Sequence, residues 1–459
     1  MKISELSLFK AKKVAILGYG KEGRSVKNFL KKLGFENISV LDKNDISERE
    51  DGIFYKTGEK YLENIGDFDL IIKTPGISPY INDLMKYKEK ITSSIDIFLN
   101  NYSGKVIGIT GTKGKSTTST LLYLTLQNAG YKVKLVGNIG SPVLDEIDIL
   151  SGETYDYVVF EMSSYMLELV NGQLYIGYIN NIFICHYDWH FGGENYDNAK
   201  KNILKIAKNK IANIQTKEKM LDIKNITFFG ENTDIFYKDG KFFLNGEIVL
   251  EDKNFLLKGI HNRINICGIL AIIKQIAEDR HGSIWIFTKM KYGLKEALES
   301  FNGLPHRIQE IGTYKGITFV DDAIATTPDS TKAAINTFGD KIGTLFLGGQ
   351  DSGFDFTELV NIIKKSSIQN LVLFPDTGLK IFGDLSDFEF DKDFELDFSG
   401  KKFRVFKTRS MESAVKFAYD FTPKGKICLL STASPSFSVW NSYIEKGTQF
   451  QEFIKKYSI

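Results

Sequence analysis

The run GITGTKGKSTT, residues 108–118, is the part of the chain best equipped for chemistry. It lies between an apolar stretch, KVIGIT, and a helical pattern, TSTLLYLTLQNAG. Such a loop aims backbone N–H groups and the positive end of a helix at one point, which is what nucleotide phosphates require. Gly111, Thr112, Lys113, Gly114, Lys115, Ser116 and Thr117 form the expected cradle. Lys115 would reach the β- and γ-phosphates, and the Ser116 hydroxyl would ligate Mg²⁺. The usual spacing wants a glycine five positions before Gly114, where Ile109 stands, so the loop is a variant. Two further apolar runs end on polar residues: YDYVVFE on Glu161 and NNIFICH on His186. If both are strands beside the loop's strand, Ser116, Glu161 and His186 converge at the carboxyl edge of a parallel sheet, where ligands bind. Two oxygens and a nitrogen beside phosphates suit Mg²⁺, a hard ion that keeps waters and takes few protein ligands. In isolation a histidine ending a strand is more often structural; the constellation gives it a duty.

A second pattern lies near the N-terminus. VAILGYGKEGRSVKNFLKKLG places Gly18, Gly20 and Gly23 between a strand and a helix, and the strand ISVLD ends at Asp42, 19 residues after Gly23. The spacing fits a dinucleotide seat, with helix N–H groups for a pyrophosphate and an acid for a ribose hydroxyl. NAD, a UDP-sugar, or a tight turn with no ligand all satisfy it.

The elements that must hold these residues repeat as apolar strand, glycine turn and amphipathic helix, which predicts an α/β protein of mainly parallel sheets. At 459 residues the chain has room for about three domains. Boundaries are expected at 1–101, 102–303 and 304–459, the last holding the strands ITFVDD, TLFLGG, NLVLFP and KICLLS. Residues 227–250 turn at Asp239–Gly240 and Asn245–Gly246, and so predict a small antiparallel insertion. Hydrophobic residues at 42% and charged residues at 25% are ordinary for globular chains. Lys and Arg number 59 against 57 Asp and Glu, too even a balance for a nucleic-acid or membrane-surface protein. The start, MKISELSLFK, has no signal-peptide core, and no membrane span is expected. Cys185, Cys267 and Cys428 are odd in number and far apart, as in a reducing, cytoplasmic compartment.

GTKGKS, FEMSSYMLE, HYDWHFGGENYDNAKKNI, GIHNRIN and GLPHR follow one another in the order and spacing of the Mur ligases, and the chain resembles that family almost end to end. GYGKEG, TPGIS and LLSTASPSFSVWNSYIEKG are most similar to its glutamate-adding branch. The resemblance implies three lobes: a Rossmann-like UDP-binding lobe, a central P-loop ATPase lobe and a C-terminal Rossmann-like lobe. It implies ATP, two Mg²⁺ ions, and UDP-N-acetylmuramoyl-L-alanine and glutamate as substrates of a monomer. By the same resemblance, Ser116 and Glu161 would hold the Mg²⁺ bridging the β- and γ-phosphates, and His186 the second ion. Lys200 would carry a CO₂-derived carbamate; its neighbour Lys201 could be confused with it, but Tyr196, four residues earlier, favours Lys200. Asn262 and Asn265 would lie near the adenine, Arg307 on the nucleotide, and Asp322 by the ribose. Lys21, Glu22, Asp42, Thr74, Pro75 and Gly76 would hold the uridine diphosphate, and Asn138 and Ser163 the sugar and its acyl arm. Ser436 and Tyr443 would line the amino-acid pocket.

Several positions depart from that pattern. Cys185 stands for a frequent Asp, Met166 for a frequent Gln and Lys113 for a frequent Asn; Ile324 and Ser352 replace cations. A glutamate carboxylate would then be met by hydroxyls such as Thr326, Thr327 and Ser436, or by backbone N–H groups. The expected reaction activates a muropeptide carboxylate as an acyl phosphate, which the amino acid's amine attacks. Closure of the third lobe would bring Arg307 and Asp322 to ATP. L-glutamate or another amino acid, folylpolyglutamate-type activity, a nicotinamide-dependent oxidoreductase and a non-catalytic nucleotide module are the alternatives. Lys115, Glu161, His186 and Lys200 together weigh against the last two.

Overall fold

Runs such as VAIL (Val14–Leu17), VIGIT (Val106–Thr110) and YVVFE (Tyr157–Glu161) bury every residue. Only strands covered on both faces can do that, which is the setting of parallel sheets. The computed structural model describes residues 1–47, 49–137, 141–183, 187–257, 259–351 and 353–458. They form two compact units, Met1–Asn302 and Gly303–Ile459.

The first unit contains a five-stranded parallel sheet in the order Phe54–Thr57, Ile38–Asp42, Val14–Leu17, Leu70–Lys73, Ile91–Thr92. Beside it is a six-stranded parallel sheet: Ile226–Phe229, Ala207–Asn213, Leu174–Ile179, Val106–Thr110, Tyr157–Glu161, Val133–Gly137. The two sheets share one apolar cluster, and each has a further cluster of its own. Phe98, on helix Ser94–Asn101, meets Phe160 of the larger sheet edge-on at 5.9 Å, and Ser25 Oγ donates to Asp145 Oδ1 at 2.8 Å.

The antiparallel insertion is smaller than the sequence predicts. Ile235–Lys238, Lys241–Leu244 and Glu247–Glu251 form it, but Ile226–Phe229 pairs in parallel with Lys210–Asn213 and so extends the main sheet. Alternation of residue types did not separate an edge strand from the hairpins that follow.

The second unit is one seven-stranded sheet: Gln309–Tyr314, Ile317–Asp321, Ile427–Leu430, Ile342–Gly348, Asn370–Phe374, Lys401–Lys407, Asp393–Phe398. Its interior pairs are parallel and its two outermost pairs antiparallel.

Register places the chemistry. In the six-stranded sheet Ile109 lies opposite both Glu161 and Tyr178, and Thr110 opposite Ile179. The glycine-rich loop therefore leaves the sheet between a strand ending in a carboxylate and one leading into Asn180 and Asn181. Helix Gly193–Lys205 lies directly on that last strand, where Gly177 has no side chain; a Cβ there would be 2.3 Å from the Ile203 carbonyl oxygen.

Candidate active site

Amides fasten the loop from beneath. Thr112 N–H donates to the Asn181 carbonyl at 2.9 Å and Lys113 N–H to Asn181 Oδ1 at 2.8 Å. The Lys113 carbonyl accepts from Asn180 Nδ2 at 3.1 Å and Asn181 Nδ2 at 3.0 Å. Asn180 Nδ2 also donates to Asn265 Oδ1 at 2.7 Å, and Asn265 Nδ2 to Asn262 Oδ1 at 3.2 Å. Asn262 and Asn265, on helix Ile260–Glu278, thus form a buried amide chain that ends against the loop. Sequence reasoning missed Asn180 and Asn181; the available signal was a pair of amides directly after an apolar strand.

Helix Lys115–Asn128 starts after Gly114, whose φ is 80°. Lys115 Nζ donates to the carbonyls of Gly111 (3.0 Å) and Thr112 (3.2 Å). Ser116 Oγ donates to Glu161 Oε1 at 3.2 Å, and both residues are buried. A hydroxyl and a carboxylate side by side at a helix start are hard oxygen donors, which fits Mg²⁺ beside a phosphate. Among the described residues no group of three or more His, Cys, Asp or Glu could hold a metal by itself.

Lys200 and Lys201 part company. Lys200 is 2% exposed, with Nζ donating to Gly111 O at 3.0 Å and Thr110 Oγ1 at 3.4 Å and lying 5.0 Å over the Tyr196 ring. Tyr196 OH reaches Thr112 Oγ1 at 2.7 Å. Residues four apart share a helix face, so Tyr196 and Lys200 both face the loop. Lys201 pairs with Asp222 at 3.2 Å on the outside. His186, Cys185, Asn138 and Ser352 lie outside the described residues.

In the five-stranded sheet, Asp42 Oδ2 accepts from Tyr19 N–H at 2.7 Å and Oδ1 from Asn44 N–H at 2.8 Å, so this carboxylate braces the glycine turn. Lys21 is exposed at the start of helix Lys21–Lys32. Glu22 faces inward; Ser94 Oγ donates to it at 2.8 Å, while burial pushes its carboxyl above the usual range. Thr74 Oγ1 donates to Leu17 O at 3.0 Å. After Pro75, the Gly76 carbonyl accepts from Trp189 Nε1 at 3.2 Å, and Ser78 Oγ donates to Trp189 O at 2.7 Å. Tyr80 OH donates to Glu168 Oε1 at 3.0 Å. Ser163 Oγ caps the short helix Ser164–Leu167 by accepting from Met166 N–H at 3.2 Å. Lys73 is enclosed behind this bridge; burial pushes its ammonium down to about 8, against the attraction of Glu168.

In the second unit Arg307 is half-buried between two residues in left-handed conformation, His306 (φ 60°) and Ile308 (φ 45°). Asp322 accepts from Ile308 N–H at 3.1 Å and Ser431 Oγ at 2.8 Å. Burial pushes its carboxyl up to about 7, with those donors and the Arg307 charge pulling down. Lys446, fully buried on helix Tyr443–Tyr457, donates to Thr432 Oγ1; burial pushes it down to about 7 against the attraction of Asp321 and Asp322. Ser436 is 2% exposed, and its Oγ has no hydrogen-bond partner among the described residues. Thr326 is half-buried, and the Tyr443 ring stands 6.4 Å from that of His306. Thr327 is not an open hydroxyl: it caps helix Pro328–Phe338, accepting from Ser330 N–H at 3.4 Å. No helix among the described residues is long and apolar enough to cross a membrane.

Comparison with known proteins gives this geometry a family context. The family model described as the Mur ligase middle domain matches residues 109–272. A UDP-N-acetylmuramoylalanine–D-glutamate ligase from Acetivibrio thermocellus is 31% identical over 97% of this chain and 96% of its own length. One of the same name from Clostridium botulinum is 29% identical over 97% of each. Among solved structures, MurF ligase from Thermotoga maritima in complex with ADP covers 96% of this chain and 95% of its own, with a TM-score of 0.52 at 17% identity, a likeness of fold.

Proposed function

The chain belongs to the Mur ligase family of ATP-dependent, amide-forming ligases, and we propose that it joins D-glutamate to UDP-N-acetylmuramoyl-L-alanine in peptidoglycan precursor synthesis. The observation that carries the reading is the gathering of Lys115, Ser116, Glu161 and Lys200 around one loop at the carboxyl edge of a parallel sheet. The choice of substrates rests on the relatives' names.

In this reading the muropeptide's terminal carboxylate attacks the γ-phosphorus of ATP, giving an acyl phosphate and ADP. The amine of glutamate then attacks the acyl carbon; phosphate leaves and the amine loses a proton. Loop N–H groups and Lys115, exchanging the Gly111 and Thr112 carbonyls for phosphate oxygens, hold the nucleotide in line. Ser116 and Glu161 would hold Mg²⁺, which neutralises charge on the transferring phosphoryl group. An unmodified ammonium at Lys200 would repel such an ion; a carbamate made with CO₂ turns the same side chain into an anionic oxygen donor. His186 completes the set by resemblance, as do Arg307 and Asp322 on the nucleotide. No side chain need act as a nucleophile, because positioning and electrostatics supply the catalysis. The five-stranded sheet would seat the UDP moiety at Asp42, Thr74 and Gly76, and the reaction would take place in the cytoplasm.

One observation favours a second reading of the amino acid. Ile324 is apolar where a dicarboxylate's partner cation is expected, which favours another amino acid, one without the second carboxylate; L-glutamate, with the same groups as D-glutamate, is the stereochemical alternative. Phosphate release from ATP with UDP-N-acetylmuramoyl-L-alanine, screened across amino acids, decides: D-glutamate is expected to give the highest kcat/KM. Preference for the L enantiomer leaves the ligase chemistry standing and removes the D-glutamate assignment.

A further inference from the structure

Arg307 sits in a backbone that does not hold itself. His306 and Ile308 flank it at φ 60° and 45°, and for the β-branched isoleucine this is a conformation that surrounding structure must impose. Two neighbouring aspartates at the end of strand Ile317–Asp321 impose it from opposite sides. Asp322 takes the Ile308 N–H at 3.1 Å. Asp321, 0% exposed, takes His306 Nδ1 on its Oδ2 at 2.7 Å. Asp321 is itself fixed: Oδ1 accepts from Ala323 N–H at 2.9 Å, and Oδ2 accepts from Gln451 Nε2 at 2.8 Å. Gln451 belongs to helix Tyr443–Tyr457, which approaches so closely that a Cβ at Gly447 would lie 2.1 Å from His306 Nδ1. The same helix brings the buried Lys446, the cation that faces both aspartates. The His306 carbonyl is tied as well, accepting from Ile324 N–H at 3.1 Å.

We propose that Asp321 is a positioning residue for Arg307: it clamps His306 while Asp322 clamps the Ile308 amide, so that the arginine is presented from a backbone locked on both sides, on the His306 side with the support of the last helix. The lock stands on this unit's own geometry; only what Arg307 then acts on rests on the ligase reading.

Two readouts on the full chain test it. Hydrogen exchange of the peptide spanning residues 303–309 should be at least tenfold faster in Asp321→Asn than in wild type, with the central strands of the same sheet unchanged. In phosphate release, Asp321→Asn should lose about 10²-fold in kcat/KM for ATP. In an Arg307→Ala background the same change should add nothing, because the residue it serves is gone. Additive losses would make Asp321 merely structural, and unchanged exchange at 303–309 would overturn the lock. Gln451→Leu, a milder change that removes one bond to Asp321, gives the same exchange readout if Asp321→Asn fails to fold. A wild type inert with every amino acid would refute the ligase reading while leaving the exchange result to decide the lock.

Discussion

Gly177→Ala should damage a reaction whose groups it never touches. The new Cβ would lie 2.3 Å from the Ile203 carbonyl oxygen, a backbone atom of helix Gly193–Lys205, and 2.8 Å from the Cβ of Ala207, the first residue of the next strand. A carbonyl in a helix cannot swing aside as a side chain can, so the helix must retreat by about 1 Å, taking Lys200 with it. Overpacking of this kind costs about 1–3 kcal/mol. A displacement near 1 Å at a reacting site is worth about 10²-fold in rate. Gly108→Ala is the control: its Cβ would meet only side-chain ends, Leu174 Cδ1 at 2.7 Å, Ile203 Cδ1 at 3.1 Å and Met162 Sδ at 3.2 Å, which can adjust. Phosphate release and denaturant unfolding on both variants read the two effects. Wild-type kcat with an unchanged midpoint in Gly177→Ala would show that the helix does not depend on that contact, and the reasoning about Lys200 would fall with it.

Lys200→Ala should be nearly inactive and partly restored by short carboxylates, while wild type stripped of CO₂ should regain activity with bicarbonate; full activity of the alanine variant would leave the lysine without a role. Stability should carry the signature of Asp322. Its folded carboxyl, at about 7, binds a proton that the unfolded chain releases near its ordinary 3.8, so the contribution of this one group to stability falls as pH rises between those values and changes no further above them. Asp322→Asn lacks that loss and should gain on wild type between pH 4.5 and 7.5; parallel unfolding midpoints would exclude the shift. Titration with NADH should show no saturable fluorescence change, and tight binding that competes with the UDP-muropeptide would revive the oxidoreductase reading of the Gly18–Gly23 turn.

Local spacing made the nucleotide loop, the strand-end carboxylate and the parallel sheets legible, because each is written within about thirty residues. That Lys200 and not Lys201 faces the loop was legible too, since Tyr196 and Lys200 share a helix face. Side-chain direction was harder. Asp42 has the spacing of a ribose acceptor, but nothing in that spacing foretold that its oxygens also take the Tyr19 and Asn44 amides, or that Glu22 turns in toward Ser94. The cluster around Arg307 had no local signature at all. It joins residues 306, 321, 446 and 451, and GLPHR drew attention to the arginine instead of the histidine beside it. Only the order of strands in the second sheet and the return of the last helix bring those positions together.

The bridge formed by Trp189, Ser78, Tyr80 and Glu168 has an evolutionary consequence. The Trp189 indole donates to the Gly76 carbonyl, the Trp189 backbone carbonyl accepts from Ser78, and Tyr80 is bound to Glu168. Trp189 also lies in the short segment between His186 and the helix bearing Lys200. A drifting substitution at any one of these positions would disturb the TPGIS loop and the approach to Lys200 at once, so compensation has to come from across the bridge. Among homologues, positions 78, 80, 168 and 189 should therefore change as a set, and a chimera that takes residues 1–101 from one relative and the remainder from another should regain activity only when both sides of the bridge come from the same parent.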